Sequence, residues 1–486
     1  MIVPVWATFL TIIISCVNSE FQWNKHHNNP DLISTLKQIN DQCPSISDIY
    51  TLSFGNLNQT TLGNHLWVIV FGKSPKKHEA LVPEFKYVGN IHGNEVVGRE
   101  LILRLAAELC FGYINGDAQI KWIIENTRIH LLPAMNPDGY QLAVGEDKHN
   151  LKGRTNARDV DLNRNFPDLN SIFFQNARMG LNKLDHLLTK DILESKELEI
   201  ETFLVIDWIM SNNFVLSASM HGGDLVANYP FDTSPDHKRH YQKCPDDKTF
   251  VQLANSYSFD NHRMYSGIKK CTDSINNFFH GRTNGAQWYP VDGGMQDFNY
   301  LASNCFEITL ELGCEKYPEG VDLEKYWQWN NRSLYDFLLQ VHAGFKGVVL
   351  GELETGDLAT ITDAEIRVTK IEEDAAVPIE HTILTGDHGD YFRLVTPGLY
   401  IVWAVKEGFE PALACINIEE AASLENLKEA KIMNFVLKKS KSSGLNDFEI
   451  ISNMVKKHLH GPYRVSGAGD DEICHDLSNK YMFTQF

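Results

Sequence analysis

The chain lacks a dominant basic tract: 63 acidic residues outnumber 44 Lys and Arg residues, and the formal net charge is −19. We therefore do not expect a nucleic acid as a partner, because surfaces that bind nucleic acids are rich in Lys and Arg. Beyond residue 19 the chain also lacks any stretch apolar enough to cross a bilayer, and it contains no internal repeat. What remains is a globular protein whose 486 residues are too many for one ordinary core, so two domains are expected.

The first 19 residues form an apolar segment that ends in small or polar residues. Val17 and Ser19 fit the small-residue pattern that precedes a signal-peptide cleavage point, although the segment has no Lys or Arg. The segment is short for a bilayer span, so it predicts a secretory signal peptide at 1–19, with a membrane anchor as the alternative. Glycosylation sequons at Asn58 and Asn331 agree with an exported protein, which we expect in secretory vesicles or outside the cell.

Between about residues 30 and 343, apolar strand-like runs alternate with helical patterns, which predicts an α/β sheet. After Gly344, short strand-like runs separated by turns predict a small β-sandwich, with a helix evident only at 420–430. The clearest strand-like runs lie at 85–91, 213–220, 305–313 and the start of 128–140, which ends in a turn, and the clearest helix lies at 96–114. These patterns divide the chain into a signal peptide at 1–19, an α/β domain at 20–343, a sandwich at 344–439 and a tail at 440–486.

The C-terminal tail opens with the polar linker KSKSSG and continues with Phe448, Ile451, Val455 and Leu459 near one helical face. Such a helix could bind a membrane surface weakly. Packing of this helix on the sandwich, or a partly ordered tail, is the interpretation that the pattern favours.

A histidine and a glutamate stand three residues apart at His92 and Glu95, and a second histidine, His221, lies far along the chain. Two histidines and a glutamate are typical of a catalytic zinc ion, which takes three protein ligands and leaves a fourth position for water. The His-x-x-Glu spacing alone is a weak signal, since many chains of this length contain it by chance. All three residues, however, follow apolar strand-like runs, and α/β sheets place their sites at strand ends. The sequence therefore predicts one Zn²⁺ per chain.

The segment 153–168 supplies Arg154, Asn163 and Arg164 between these metal ligands. Cleavage of a peptide bond needs positive charge where the oxyanion forms, and a guanidinium pairs bidentately with a free C-terminal carboxylate. Any one arginine is more often a surface charge or a structural ion pair. Two arginines and an asparagine in one loop between the metal ligands favour the functional interpretation.

These motifs together resemble those of the zinc metallocarboxypeptidases of the regulatory N/E subfamily, and of the carboxypeptidase E branch in particular. The resemblance implies a mixed-sheet α/β catalytic domain with helices on both faces, followed by a transthyretin-like all-β sandwich. It covers about residues 30–438 and rests on the segments EFKYVGNIHGNEVVGREL, TRIHLLPAMNPDGY, DLNRNFPDL, HGGDLVANYPFD and NGAQWYPVDGGMQDFNYLASNCFEITLELGCEKYP.

The resemblance also assigns the catalytic roles by position in these motifs. It implies His92, Glu95 and His221 as the zinc ligands and Glu311 as the general base. Glu307, four residues before Glu311, lies on the same strand face, so that periodicity does not separate the two carboxylates.

The remaining site residues bind the substrate according to the same resemblance. Arg154 is implied to polarise the scissile carbonyl, and Asn163, Arg164 and Tyr289 to hold the substrate carboxylate. Asp232 is implied to bind a C-terminal Arg or Lys side chain, although its turn-rich context would also suit a turn residue. Gln296 is implied to form the floor of this pocket.

Eight of the nine cysteines lie beyond the predicted signal peptide, and an even number allows several disulfides without fixing their pairing. The resemblance implies the pairs Cys43–Cys110 and Cys271–Cys314, and a buried free thiol at Cys305. The cysteines without an assigned partner are Cys244, Cys415 and Cys474.

Two functions follow as expectations. The first is a secreted enzyme that removes C-terminal Lys or Arg from peptides or proteins during prohormone or neuropeptide processing. The second is a non-catalytic binding or sorting protein on the same fold. Inactive relatives usually lose a metal ligand, the base or an arginine, and this chain keeps all of these, which favours the enzyme.

Overall fold

The computed structural model describes residues 21–146, 152–266, 271, 277–372 and 375–440. The predicted signal peptide at 1–19, the tail pattern beyond residue 440 and Cys474 lie outside the described residues. Across the described ranges, no helix combines the length and the apolar character that a membrane crossing requires.

The order of elements follows the predicted change from an α/β pattern to an all-β pattern. The helices are α1 Asn29–Gln42, α2 Val97–Ile114, α3 Ala118–Asn126, α4 Pro137–Glu146, α5 Leu169–Met179, α6 Lys190–Glu194, α7 Ile200–Met210, α8 Asp247–Ser258, α9 His262–Tyr265, α10 Gly285–Trp288, α11 Met295–Ala302 and α12 Leu323–Leu339. The strands before residue 344 are β1 Ser47–Thr51, β2 Trp67–Phe71, β3 Glu84–Gly89, β4 Arg128–Leu132, β5 Phe214–His221, β6 Leu225–Tyr229, β7 Arg282–Asn284 and β8 Phe306–Leu312. The strands after it are β9 Phe345–Glu352, β10 Leu358–Thr360, β11 Glu365–Glu372, β12 Ala375–Leu384, β13 Asp390–Arg393, β14 Gly398–Val405, β15 Ala412–Ile418, β16 Lys431–Ile432 and β17 Phe435–Leu437.

The first eight strands form one mixed sheet in the order β1-β2-β4-β3-β5-β8-β6-β7. Its centre is parallel, because β3 pairs in parallel with β4 and β5, and β5 pairs in parallel with β8. Every residue of β3, β5 and β8 is buried, so both faces of the central strands are covered. The predicted mixed α/β sheet is therefore confirmed.

The parallel centre brings the carboxyl ends of three strands to one edge of the sheet. The chain passes from β3 to His92 within three residues, β5 ends at His221, and β8 carries Glu311 directly opposite His221 in register. Residues far apart in sequence meet here because adjacent parallel strands end on the same side.

The segment after β4 differs from the predicted turn. Pro137 begins helix α4, and proline is well tolerated in the first turn of a helix, where its missing N–H would have no helical partner. The Asn136 side chain accepts a hydrogen bond from the Gly139 amide at 2.8 Å, which satisfies one of the open amides at this helix start.

From Phe345 to Leu437 the described residues form strands in two sheets. One is β10-β9-β13 with β16 and β17 also paired to β9, and the other is β12-β11-β14-β15. The helix predicted at 420–430 is wrong: this segment contains a turn closed by a bridge between Ser423 and Asn426. Its backbone is bonded instead by side chains at the end of α12: Asp336 accepts from the Leu424 amide, and Gln340, the residue after the helix, donates to the Ala422 carbonyl.

The all-β part packs tightly on the α/β part. Buried apolar residues of both parts belong to one continuous cluster. Arg393 of β13 and Asp246, both fully buried, form an ion pair at 2.9 Å across the junction. His78 and Asp390 make a second link, with 2.9 Å between Nε2 and Oδ2.

Both implied disulfides are present. Cys43 is bonded to Cys110, which joins the end of α1 to α2, and Cys271 is bonded to Cys314, just beyond β8. Cys305 is a buried free thiol, as expected, and its Sγ atom lies 3.2 Å from Lys86 Nζ.

Candidate active site and metal centre

His92, Glu95 and His221 converge at the edge of the sheet. Glu95 Oε2 lies 3.0 Å from His92 Nδ1 and 3.0 Å from His221 Nδ1, and the two Nδ1 atoms are 3.2 Å apart. All three side chains are buried. Within the described part of the chain, no other group of three or more His, Cys, Asp or Glu side chains is placed to share a metal ion.

The protonation states of His221 and Glu95 fit a metal ion. Burial lowers the pKa of His221 to about 4, so its imidazole is neutral at pH 7 and can offer a lone pair. Burial alone would raise the pKa of Glu95, but the electrostatic interaction with His92 and hydrogen bonds to both histidines hold it well below its ordinary value. Two imidazoles and an ionised carboxylate are a donor set suited to zinc.

Local sequence shapes the turn that carries His92 and Glu95. The Asn90 side chain donates to the carbonyl oxygens of His92, Gly93 and Glu95 at 2.8, 2.9 and 3.1 Å. A Cβ atom on Gly93 would lie 2.1 Å from the backbone of Gly139, so only glycine fits there. The sequence analysis did not single out Asn90, although this residue lies in the motif EFKYVGNIHGNEVVGREL.

Asp161 holds both His92 and Arg154, and the sequence analysis did not single it out. Its Oδ1 lies 3.0 Å from His92 Nε2, and its Oδ2 accepts hydrogen bonds from Arg154 Nε and Nη2 at 3.2 and 3.0 Å. Arg154 Nη1 reaches Glu95 Oε1 at 3.2 Å, which places the guanidinium at the metal centre. A carboxylate behind a histidine ligand fixes its orientation and raises its basicity.

The structure separates the two glutamates that periodicity left equivalent. Glu311 lines the cleft beside the metal centre, and its buried Oε2 has no hydrogen-bond partner. Burial, and then the negative charge of Glu95, raise the pKa of Glu311. Glu307 is fully buried away from the cleft, where it accepts hydrogen bonds from Ser217 and Asn299 at 2.6 and 2.9 Å.

Most of the other predicted site residues also line this cleft. Tyr289 lies at its surface with 36% of its area exposed. Asn163, in the 3₁₀ turn Leu162–Arg164, accepts a hydrogen bond from the Met295 amide at 2.9 Å. The predicted residues that line the cleft are His92, Glu95, Arg154, Asn163, Arg164, His221, Asp232, Tyr289 and Glu311. Lining residues that the sequence analysis missed include Asn228, Trp288, Thr309 and Lys316, all of which stand inside the quoted motifs.

Asp232 lines the cleft and is buried, and its carboxylate accepts hydrogen bonds only from uncharged side chains among the described residues. Its Oδ1 accepts hydrogen bonds from Asn228 at 3.0 Å and from Gln296 at 2.9 Å. Burial raises the pKa of Asp232 to about 7. Gln296 is buried and bonds Asp232 rather than lining the cleft itself. The Asp232 amide donates to Asp297 Oδ2 at 2.7 Å, which anchors this loop to helix α11.

Comparison with known proteins agrees with this geometry. The family model described as zinc carboxypeptidase, Peptidase M14, matches residues 32–333, more than half of the chain. The catalytic chain of carboxypeptidase N from Rattus norvegicus is 44% identical over 425 residues, which cover 86% of each chain. Carboxypeptidase E from Caenorhabditis elegans is 42% identical over 427 residues, covering 86% of this chain and 87% of the relative.

Among solved structures, carboxypeptidase A from Helicoverpa armigera aligns with a TM-score of 0.49 and 15% identity, over 65% of this chain and 73% of that chain. The identity to the carboxypeptidase N and E chains extends over nearly their whole length. The chain therefore belongs to the Peptidase M14 family of zinc carboxypeptidases.

Proposed function

We propose that the protein is a secreted zinc carboxypeptidase that removes C-terminal Lys or Arg from peptides or proteins, in prohormone or neuropeptide processing. One observation carries the proposed specificity: Asp232, buried in the cleft of the metal centre, has no ion-pair partner among the described residues. An unpaired buried carboxylate is costly, and a substrate guanidinium or ammonium would offset that cost. An apolar side chain would leave the charge unpaired, which gives discrimination.

In this proposal His92, Glu95 and His221 hold the zinc ion. Bound zinc supplies a Lewis acid that polarises a carbonyl and makes water more acidic. Glu311, whose Oε2 has no partner, accepts the proton of the attacking water and passes it to the leaving amine. Arg154, held by Asp161, faces the site where the oxyanion forms.

The substrate carboxylate is the second feature that the cleft must recognise. Asn163, Arg164 and Tyr289 line the cleft between the metal centre and Asp232 in this proposal, and they bind that carboxylate. A guanidinium and a carboxylate pair bidentately, so Arg164 fixes both position and orientation. Gln296 supports the pocket through its hydrogen bond to Asp232.

The all-β part completes the proposal. We assign residues 344–439 to a transthyretin-like sandwich, supported by the two sheets that the described strands form. The buried Arg393–Asp246 pair ties this part to the catalytic part. Export is supported by the sequence of residues 1–19 and by the two disulfides.

The test is hydrolysis of matched peptides that end in Arg, Lys, Leu or Phe, with and without a chelator. We expect cleavage of the Arg and Lys peptides, and loss of cleavage with the chelator. In Asp232→Asn the ratio of kcat/KM for Arg over Leu should fall roughly 10²- to 10³-fold, since loss of one buried charge partner costs about 3–5 kcal/mol.

A matched control is Asp236→Asn, because Asp236 lies in the same loop but is exposed. This variant should keep the Arg-over-Leu ratio. An unchanged Arg-over-Leu ratio in Asp232→Asn would show that another residue recognises the C-terminal side chain of the substrate. Binding of Arg-ending peptides without any turnover would support the non-catalytic alternative instead.

A further inference from the structure

Two adjacent groups of aromatic rings lie at and beside the cleft. Trp288 and Tyr289 both line the cleft, and their ring centroids are 4.8 Å apart. Phe278, buried beneath, meets Trp288 edge to face at 5.2 Å. These contacts connect the mouth of the cleft to the segment just before the edge strand β7.

A second group of rings begins at Phe279, the residue after Phe278, on the outside of the molecule. The ring of Phe279 stacks on His280 at 3.9 Å, His280 stacks on Tyr265 at 4.9 Å, and Tyr265 meets Phe259 at 5.0 Å. Phe279 is 72% exposed and Phe259 is 61% exposed. We call this set the aromatic ridge: Phe259, Tyr265, Phe278, Phe279, His280, Trp288 and Tyr289.

Core packing does not explain the outer part of the aromatic ridge. A single exposed apolar side chain is common, but a contiguous exposed patch marks a binding surface. The Cys271–Cys314 disulfide joins the chain between Tyr265 and Phe278 to a residue three positions beyond Glu311. The disulfide therefore ties one residue between these two ridge members to the chain just beyond the candidate catalytic strand.

We propose that the aromatic ridge binds apolar or aromatic side chains of the peptide substrate, upstream of the residue that enters the Asp232 pocket. This inference rests on the proposed function. A peptide whose C-terminus lies in the cleft must leave through its mouth, where Tyr289 stands. The ring contacts Tyr289–Trp288 and Trp288–Phe278 measure 4.8 and 5.2 Å, and an extended chain advances about 3.3 Å per residue. The rings beyond Phe278 therefore meet residues upstream of about the third position from the C-terminus.

The charge of the protein favours a peptide over a lipid surface as the occupant. The formal net charge of −19 repels anionic membranes, which recruit proteins through clustered Lys and Arg. Aromatic rings instead pair with aromatic and aliphatic side chains in stacked or edge-to-face contacts. The substrate class is therefore a basic C-terminal residue preceded, several positions upstream, by aromatic or large apolar residues.

The experiment compares two decapeptides that share the C-terminal sequence Ala-Ala-Arg. One has aromatic residues at the fourth to sixth positions from the C-terminus, and the other has serine there. In the wild-type enzyme we expect kcat/KM for the aromatic peptide to be about 3- to 10-fold higher, mainly through KM. In the double variant Phe259→Ala, Phe279→Ala this ratio should fall to unity, while a short blocked Ala-Arg substrate is cleaved as before.

The matched control is Phe54→Ala, because Phe54 is 52% exposed and follows β1, at the opposite edge of the sheet. This variant should keep the wild-type ratio. The ratio of two kcat/KM values does not depend on the fraction of folded enzyme, so it can be measured even if the double variant folds poorly. A wild-type ratio of unity, or an unchanged ratio in the double variant, overturns the inference.

Two other results are distinguishable from these. If the wild-type protein cleaves neither decapeptide, the proposed function fails. Calorimetry then measures the affinity of the aromatic decapeptide for the wild type and for the double variant, and equal affinities overturn the inference. If the peptide ratio is unity and phosphatidylcholine vesicles bind the wild-type protein but not the double variant, the aromatic ridge contacts lipid, which also overturns it.

Discussion

Gly285 lies so close to Asp232 that a Cβ atom on residue 285 would come within 1.9 Å of Asp232 Oδ1 and 2.8 Å of its Cα. The backbone contact leaves no flexible end to move aside, so Gly285→Ala must displace the Asp232 loop. We expect the kcat/KM ratio for Arg-ending over Leu-ending peptides to fall about 10²-fold, as for other misplacements of about 1 Å.

Gly72→Ala is the control for this prediction. The nearest atom to a Cβ on Gly72 is 3.5 Å away, an ordinary contact. Steady-state kinetics on both peptides should show a normal ratio in Gly72→Ala. A normal ratio in Gly285→Ala would show that the pocket does not depend on this close approach.

The two buried glutamates of β8 should respond differently to amide substitution. Glu311→Gln removes a base that faces the metal centre, so kcat should fall by about 10³-fold or more with little change in stability. Glu307→Gln disturbs the hydrogen bonds with Ser217 and Asn299 and the contact with Lys86, so thermal stability should fall while kcat of the folded enzyme stays near normal. The reverse pattern of kcat and melting temperature would show that Glu307 is the base.

Removal of the metal should destabilise the protein as well as inactivate it. A ligand at 100 times its Kd stabilises the native state by about 2.7 kcal/mol, so zinc added to chelated protein should raise the melting temperature. His221→Ala should lose this response, because it removes one of the three converging side chains. His240→Ala, which alters an exposed histidine paired with Asp236, should retain it. Full activity in metal-free His221→Ala would refute the zinc assignment.

His78 should make stability depend on pH. Its two ring nitrogens lie 2.7 Å from Glu84 and 2.9 Å from Asp390 of the all-β part. Burial alone would lower the pKa of His78, but the hydrogen bonds to Asp390 and Glu84 raise it from 6.5 to about 9. A raised histidine pKa stabilises the folded state fully below pH 6.5, and this contribution disappears as the pH rises through about 9.

Denaturant unfolding between pH 6 and 10 measures this effect. After allowance for solvent screening, the wild-type protein should lose about 1–2 kcal/mol over this range relative to His78→Gln. His186→Gln is the control, because His186 bonds the Thr382 carbonyl rather than a carboxylate. Parallel stability curves for the wild type and His78→Gln would contradict the prediction.

The sequence by itself indicated the central strands and the metal centre of this protein, and the family resemblance implied its two disulfides. The apolar runs at 85–91, 213–220 and 305–313 became β3, β5 and β8 with ends displaced by one or two residues. Short continuous apolar runs and the polar residues that follow them are local patterns, so they can be recognised along the chain. The long motifs then related residues that lie far apart, such as His92 and His221.

Tertiary structure decided which residue of each set faces the cleft. Glu307 and Glu311 share a strand face, so the sequence pattern does not distinguish them. In the folded protein Glu307 accepts a hydrogen bond from Ser217, whereas Glu311 keeps an oxygen without a partner. The segment 420–430 forms no helix because Asp336 of α12 and Gln340, just beyond it, bond its backbone. Gly285 matters because Asp232 packs directly against it. The two residues are distant in sequence, so no local pattern predicts this contact.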